Sequence, residues 1–414
     1  MDFAKAFDKV DHSILLAKLE AYGIKGKLLN WIKTFLTNRY QRVRVGDHFS
    51  DKVKVRSGVP QGSVLGPLLY IIYMIDFTDG IHHVKVGSFA DDTKNWQITS
   101  CNLFQHEQNK MYEWAARNNA HYNGKKFVKL TFGDSTDSTV FYQPDGSPIM
   151  TATHVRDLGV YMSTDAKFDH HINNVVKGAQ MMSAWVLHTF ITRETTAMLT
   201  IYKSLIRSRA EYASILWSPT DARNIRNLEN IQRRFTSKFS IFRKLNENTN
   251  LMECHVTYWE RLRRLKLYSL ERRRERYMIF YMFNIHIGSV PDLGLLSTYN
   301  PRTKTKYIAK GNKKSATKIK SIRLSSFFTR GPQLFNLLPE ELRVPISDAS
   351  PDKLKELKAN FKASVDKWLE LVPDQPTTEG LYREADSNSI IDQIKMHGDE
   401  VTRKWRIACK SKKH

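Results

Sequence analysis

Between His12 and Thr37 the apolar residues fall at helical spacing. Leu28, Trp31, Ile32, Phe35 and Leu36 recur at i, i+3, i+4, i+7 and i+8, the pattern of one buried helical face. Gly23 and Gly26 divide this stretch into two helices. The period then changes. Arg42-Val43-Arg44-Val45 and Lys52-Val53-Lys54-Val55 alternate basic with apolar residues about Gly46-Asp47, which predicts a β-hairpin with one apolar and one basic face. Residues 57–66 are rich in Gly and Pro, and the apolar run 68–77 predicts a helix. A second hairpin is expected from Val84 to Phe89 and Thr93 to Ile98, turning at Ala90-Asp91-Asp92. A helix over 103–121 and short strands within 126–162 follow, with turns at Gly133-Asp134 and Asp145-Gly146.

From about residue 170 the pattern is mostly helical. Helices are expected over 192–218 and 221–244, with Thr220-Asp221 capping the second, and over 352–371. Residues 258–287 form a long basic amphipathic segment, and 301–330 carry ten Lys/Arg and no acid, the composition of a loop or hairpin with little core. The stretch from 373 is a polar tail ending in Lys410-Ser411-Lys412-Lys413, and no internal repeat is present.

Composition narrows the picture. A length of 414 residues corresponds to two or three domains at about 100–200 residues each. A hydrophobic content of 41% with 17 Tyr, 21 Phe and 8 Trp supports packed cores and excludes disorder throughout. The 65 Lys+Arg against 42 Asp+Glu give a charge of +23, which calls for a polyanionic partner, with nucleic acid favoured over an anionic membrane surface. Cys101, Cys254 and Cys409 are far apart and no Cys/His cluster has zinc-ligand spacing, so a reducing compartment fits. No apolar run approaches the ~18 residues of a membrane span, and the start Met-Asp-Phe-Ala-Lys lacks a signal-peptide pattern. Membrane insertion and secretion are disfavoured.

The candidate chemistry lies at Asp91-Asp92. Two carboxylates ~4 Å apart repel by about 4 kcal/mol at an effective dielectric of 20, so such a pair is tolerated mainly around a cation. Template-directed nucleotide addition uses such a cluster, because two divalent metals must bridge the attacking hydroxyl, the α-phosphate and the leaving pyrophosphate. Hard ions such as Mg²⁺ take oxygen ligands, and a third acid must come from elsewhere.

Here the residues resemble a family. Phe89-Ala90-Asp91-Asp92 resembles the tyrosine/phenylalanine-Ala-Asp-Asp box of reverse transcriptases. Asp2-Phe3-Ala4-Lys5-Ala6-Phe7-Asp8-Lys9-Val10 is similar to the first palm box, and Arg56-Ser57-Gly58-Val59-Pro60-Gln61-Gly62-Ser63-Val64-Leu65-Gly66-Pro67 to the box between them. The resemblance implies two Mg²⁺ ions (Mn²⁺ as a substitute) held by Asp2 and Asp91 with the Phe3 carbonyl, and Asp92 as a second-line carboxylate beside the primer end. Phe7 stands where the family places an aromatic sugar gate that favours deoxynucleotides. Gln61 would lie beside the incoming nucleotide and Gly62 would let backbone approach the template–primer. Lys126, or its neighbour Lys125, matches the box whose lysine neutralises leaving pyrophosphate.

Further along, Val155-Arg156-Asp157-Leu158-Gly159-Val160, Lys203-Ser204-Leu205-Ile206 and Glu211-Tyr212-Ala213-Ser214-Ile215-Leu216-Trp217-Ser218-Pro219 resemble landmarks of non-LTR (LINE) retrotransposon polymerases of the jockey-like and chicken-repeat-like kinds. So do Leu228-Glu229-Asn230-Ile231-Gln232-Arg233-Arg234-Phe235, Glu260-Arg261-Leu262-Arg263-Arg264-Leu265 and Phe335-Asn336-Leu337-Leu338-Pro339. The fold implied is α+β: a right-hand palm over 1–135, a connection and thumb-like region over 136–245, a basic helical C-terminal domain over 246–372 and a polar basic tail over 373–414. The function implied is RNA-directed DNA polymerisation from dNTPs, with an RNA template and a DNA primer that in LINEs is nicked target DNA, in nucleus and cytoplasm. Asp2 stands second in the sequence, so an N-terminally truncated palm without fingers is expected, with the Asp2 strand poorly restrained. A non-catalytic nucleic-acid-binding protein and a retrotransposon relic stay open beside the polymerase.

The basic segments point to nucleic acid independently. Arg261, Arg263, Arg264, Arg272, Arg273 and Arg274 stand among Tyr258, Trp259, Leu262, Leu265 and Leu267, as a helix lying along phosphates would place them. The alternative is a solvated face paired with Glu260, Glu271 and Glu275.

Overall fold

The computed structural model describes residues 1–98, 103–133, 139–246, 251–291, 299–300, 306–307, 322, 325–343, 351–376 and 388–410. The chain forms two compact units, Met1–Val155 and Arg156–His414. Helices and short, mostly antiparallel strand pairs make it α+β, as expected. None of its described helices is long and apolar enough to cross a membrane.

In the first unit, α1 (His12–Ala21) starts where the Asp11 carboxylate accepts from the Ser13 and Ile14 amides. It packs with α2 (Gly26–Leu36) and α3 (Leu65–Tyr73) around Leu15, Leu19, Leu36, Leu69 and Tyr70. The stripe on α2 is only partly buried: Ile32 and Leu36 are covered, whereas Leu28 and Trp31 are exposed and Trp31 stacks on Phe35. The stripe is wider than the surface that α1 and α3 offer it. The first hairpin forms as the alternation predicts, from β1 (Tyr40–Gln41), β2 (Arg44–Val45), β3 (His48–Phe49) and β4 (Val53–Lys54). The second consists of β5 (Lys85–Phe89) and β6 (Asp92–Trp96), and lies by a smaller core of Phe3, Phe77, Val84, Met111 and Trp114 that α4 (Phe104–Arg117) helps to close. The Asp145-Gly146 turn forms, while the Gly133-Asp134 turn extends outside the described residues.

The second unit is helical. Its main helices are α5 (Asp169–Thr189), α6 (Ala222–Thr236), α7 (Tyr258–Leu265), α8 (Leu270–His286), α9 (Phe327–Asn336), α10 (Pro351–Leu369) and α11 (Ile390–Lys410). Asp221 caps α6 through the Asn224 amide at 2.8 Å. The helix expected over 192–218 is broken into pieces, with a π turn at Tyr202–Arg207. The boundary expected near 245 falls inside one apolar cluster that runs from Val160 to Leu270. The expected polar tail is also corrected. Ile390, Val401 and Trp405 of α11 are buried with Met278, Phe335 and Trp368, because apolar residues recur on one face of that helix. Most of 301–330 and residues 411–414 lie outside the described residues.

The arginines proposed to meet phosphate need the largest correction. Arg261, Arg272 and Arg274 are buried, as is Arg276, and Arg273 is largely covered. Arg261 donates to the carbonyls of Val256 (2.7 Å) and Arg233 (2.9 Å). Arg272 donates to the carbonyls of Val372 (3.0 Å) and Pro373, and Arg276 forms a two-pronged pair with Asp366 at 2.5 and 2.6 Å. Arg273 pairs with Glu211. The guanidinium of Arg274 has no hydrogen-bond partner among the described residues, and burial lowers its pKa. Of the six, only Arg263 and Arg264 are exposed, and both turn back onto Glu260. These side chains are struts between helices: α8 runs through the interior, so its cations meet carboxylates and helix-end carbonyls, not solvent.

That interior can be tested in two ways. Arg272→Met strands the Val372 and Pro373 carbonyls, and should lower the unfolding free energy in urea by about 3 kcal/mol while leaving the salt dependence of nucleic-acid binding unchanged. The Glu271 carboxyl is pushed up to about 8 by burial first, then by Glu275 and Glu229, against the pull of Arg274. Folded protein therefore keeps a proton that the unfolded chain releases near pH 4.5. The stability that Glu271 contributes is therefore fully present below that pH and is lost as pH rises toward 8, by at most about 1.4 kcal/mol per pH unit. Urea unfolding across a pH series should show a flatter profile for Glu271→Gln.

Candidate active site

The β5–β6 hairpin closes through two residues, Ala90 and Asp91, with Phe89 paired to Asp92. Ala90 takes φ +53°, a left-handed conformation normally given to Gly in such turns and worth about 1–2 kcal/mol of strain for an L-residue. Strain of this kind collects at functional sites. Here it sets Asp91 at the tip, half-buried, and Asp92 at the exposed start of β6.

Asp2 arrives from a different part of the chain and is held on both sides. It forms an antiparallel bridge with Asp92, with the Thr93 amide donating to the Met1 carbonyl at 3.0 Å. On the other side Phe3 bridges to Tyr122, with the Asn123 amide donating to the Asp2 carbonyl (2.8 Å) and the Ala4 amide to His121 (2.7 Å). The Phe3 ring anchors the segment, stacked on Tyr122 with centroids 4.5 Å apart and edge-on to Phe77. The expectation that the Asp2 strand is poorly restrained is therefore overturned, because backbone bonds from two neighbours fix Met1, Asp2 and Ala4.

The Asp2 carboxyl is buried and ion-paired with Lys126, whose short helical turn follows directly on Asn123. The Lys126 ammonium is raised above its ordinary pKa by the hydrogen bond and charge of Asp2, and further by Asp91 and Asp92. One cation thus feels all three carboxylates. Tyr70 of α3 senses them too: burial pushes its phenol well above the usual range, and the charges of Asp91 and Asp2 add to the shift.

Phe7 stacks on the same Tyr70, with centroids 4.4 Å apart. Beside it, residues 57–63 are bound to the 3₁₀ turn Ala6–Asp8. The Val59 amide donates to Phe7 (2.9 Å), Ser57 Oγ to the Asp8 carbonyl (2.9 Å), and Gln61 Nε2 to Asp8 Oδ1 (2.8 Å). Gly58, at φ +86°, lies so close that a Cβ there would sit 2.7 Å from the Asp8 carbonyl oxygen. His12 Nε2 reaches the Gly58 carbonyl at 2.8 Å. Gly62, at φ +80°, faces open space.

Comparison with known proteins bears on this arrangement. Residues 1–162 match the reverse transcriptase (RNA-dependent DNA polymerase) family. The chain is 28% identical over 221 residues to the RNA-directed DNA polymerase from mobile element jockey of Drosophila melanogaster, covering 50% of this chain and 24% of that protein. It is 27% identical over 248 residues to the probable RNA-directed DNA polymerase from transposon X-element of the same species, covering 56% of this chain and 27% of that protein. A stretch of 88 residues is 31% identical to a Pol polyprotein from the type-1 retrotransposable element R2 of Popillia japonica, covering 21% of this chain and 14% of that protein. The likeness to jockey-like LINE reverse transcriptases is borne out, and the chain spans about a quarter of the length of the first two of these relatives.

The reverse transcriptase match covers all three sequence boxes, and the structure brings them into one place. Among the described residues no three His, Cys, Asp or Glu side chains converge closely enough to hold a metal ion. The donor set of Asp2, Asp91 and Asp92 nevertheless fits a hard cation in chemistry, and a protein ammonium is the cation near it here. Two participants escape a reading of the sequence. Asp8 anchors Gln61, and its place within the first box is the available signal. Tyr70 backs both Phe7 and the carboxylates, and nothing in its apolar helical stretch marks it.

Gly58→Ala should push residues 57–63 off Asp8. Strain at φ +86° together with the clash should cost about 2 kcal/mol or more, read as a lower urea midpoint.

Proposed function

We propose that the first unit is the palm of an RNA-directed DNA polymerase of a non-LTR retrotransposon, extending a DNA primer with dNTPs on an RNA template. The observation that carries this reading is the backbone pairing of Asp2 with Asp92 beside Asp91, from boxes 90 residues apart in sequence. In this reading Asp2, Asp91 and the Phe3 carbonyl would hold Mg²⁺, or Mn²⁺ in its place. The bound ions would supply charge stabilisation of the transferring phosphoryl group and a lowered pKa for the primer hydroxyl.

The chain's own residues do the rest. The Phe7 ring, backed by Tyr70, forms a wall against a ribose 2′-hydroxyl. Gln61, steadied by Asp8, and Gly62 line the approach of nucleotide and template–primer. Asp92 stands beside the primer end. Lys126 holds positive charge among the carboxylates, and its ammonium can turn to the leaving pyrophosphate. Residues 136–245 serve as connection and thumb in the same reading. Work on chromosomal DNA calls for entry to the nucleus as well as presence in the cytoplasm. The reading as a non-catalytic nucleic-acid binder loses the support of Arg261, Arg272, Arg273 and Arg274, which are engaged inside the second unit.

Primer extension on an RNA template with Mg²⁺ tests the proposal. Asp91→Asn and Asp2→Asn should each lower the rate at least about 100-fold, and equal rates for the altered and unaltered chains would reject catalysis at this site.

A further inference from the structure

With Arg261 of α7 and Arg272, Arg273, Arg274 and Arg276 of α8 engaged inside the second unit, a cationic surface among the described residues is to be sought on other elements. The β1–β4 ribbon is the candidate. From Arg39 to Arg56 it carries Arg39, Arg42, Arg44, Lys52, Lys54 and Arg56 against Asp47 and Asp51. Strand register puts Tyr40 opposite Lys54 and Arg44 opposite Phe49, so the basic and aromatic residues share one face. The Arg42 guanidinium lies 3.9 Å from the Phe49 ring centroid, which holds that cation in place. Val43, Val45 and Val53 fall on the opposite face and are 66%, 73% and 60% exposed. Neither face is covered by its own unit.

The ribbon is nevertheless tied down at its base. The Val55 amide donates to the Arg39 carbonyl at 2.9 Å, and Arg39 Nη2 reaches the Gly58 carbonyl at 3.2 Å. Gly58 is itself bonded to Val10 and packed on Asp8. A two-stranded ribbon fits the ~12 Å major groove of B-form DNA, and apolar side chains can there meet thymine methyl groups. The major groove of A-form duplexes is too deep and narrow for such an element.

The geometry points to the β1–β4 ribbon as a binding arm for double-stranded B-form DNA, with its valine face toward the base edges of the major groove and the long side chains of Arg42, Arg44, Lys52 and Lys54 reaching past the ribbon's edges to the flanking phosphates. This deepens the polymerase reading by naming where duplex target DNA is held, and it makes no use of the carboxylates.

The test is equilibrium binding of the full chain to a DNA duplex of about 30 base pairs, three turns of B-form helix, and to an RNA–DNA hybrid of the same sequence, across a salt series without Mg²⁺ or dNTPs. In the variant Arg42→Ala/Arg44→Ala/Lys52→Ala/Lys54→Ala, loss of four phosphate contacts should flatten the log–log salt slope on DNA by about 3.6. A four-fold rise in salt should then weaken the unaltered chain about 100-fold more than the variant. The slope on the hybrid should not change. A second variant, Val43→Thr/Val53→Thr, keeps every charge and the β-branched shape, and should weaken DNA binding several-fold with the slope intact. Equal slopes for the quadruple variant and the unaltered chain on DNA would overturn the inference. So would an equal loss on the hybrid, or self-association of the DNA-free chain that Val43→Thr/Val53→Thr abolishes. Primer extension on a short preannealed RNA template reports separately on the polymerase reading, because a failure there leaves the DNA-binding slopes standing.

Discussion

The site depends on a short run of backbone hydrogen bonds that holds Asp2 between β6 and Tyr122. Without them, the acid of the first box and the two acids of the hairpin would be separate features of the chain. With them, a buried carboxylate is set beside a strained turn, and the lysine that follows Asn123 is carried to the same spot. The bonds are main-chain, so they tolerate changes of side chain. Phe3 adds the specificity, since its ring locks the segment into the cluster of Phe77, Trp114 and Tyr122. The loop around Gly58 and Gln61 is fixed from the other end, by Asp8 and Phe7. Two glycines and a left-handed alanine thus do in backbone geometry what no side chain could.

Much of the first unit can be read from its sequence because its signals are local. The two helices around Gly23 and Gly26, the alternating hairpin and the Asp91-Asp92 turn all depend on neighbours a few residues away, and each appears near its expected bounds. The restraint on Asp2 is not legible there. It comes from Tyr122 and Asn123, over a hundred residues distant, through backbone atoms that composition does not reveal. Tyr70 is hidden for a related reason: an aromatic in an apolar helix looks the same whether it fills a core or backs a site.

The second unit misleads through its charge. An arginine-rich amphipathic stretch such as 258–287 ordinarily marks a solvated or phosphate-facing surface. What distinguishes this one is the set of acids placed to receive it: Glu211, Glu229, Asp366 and Asp374, scattered over more than 160 residues. Only the tertiary fold brings them to α8. The same long-range pairing recruits α11 into the core, through the Ile390 amide on Glu275 and Asn388 on Asp374.

The ion pair between Lys126 and Asp2 gives the site an ion-exchange character. The Asp2 carboxylate has a tethered counter-ion, an ammonium on a short turn that also feels Asp91 and Asp92. In the proposed reading a divalent metal would compete with that ammonium for Asp2, and the lysine would stay close to any negative charge brought in with the metal. Neutralising Lys126 would remove that competition.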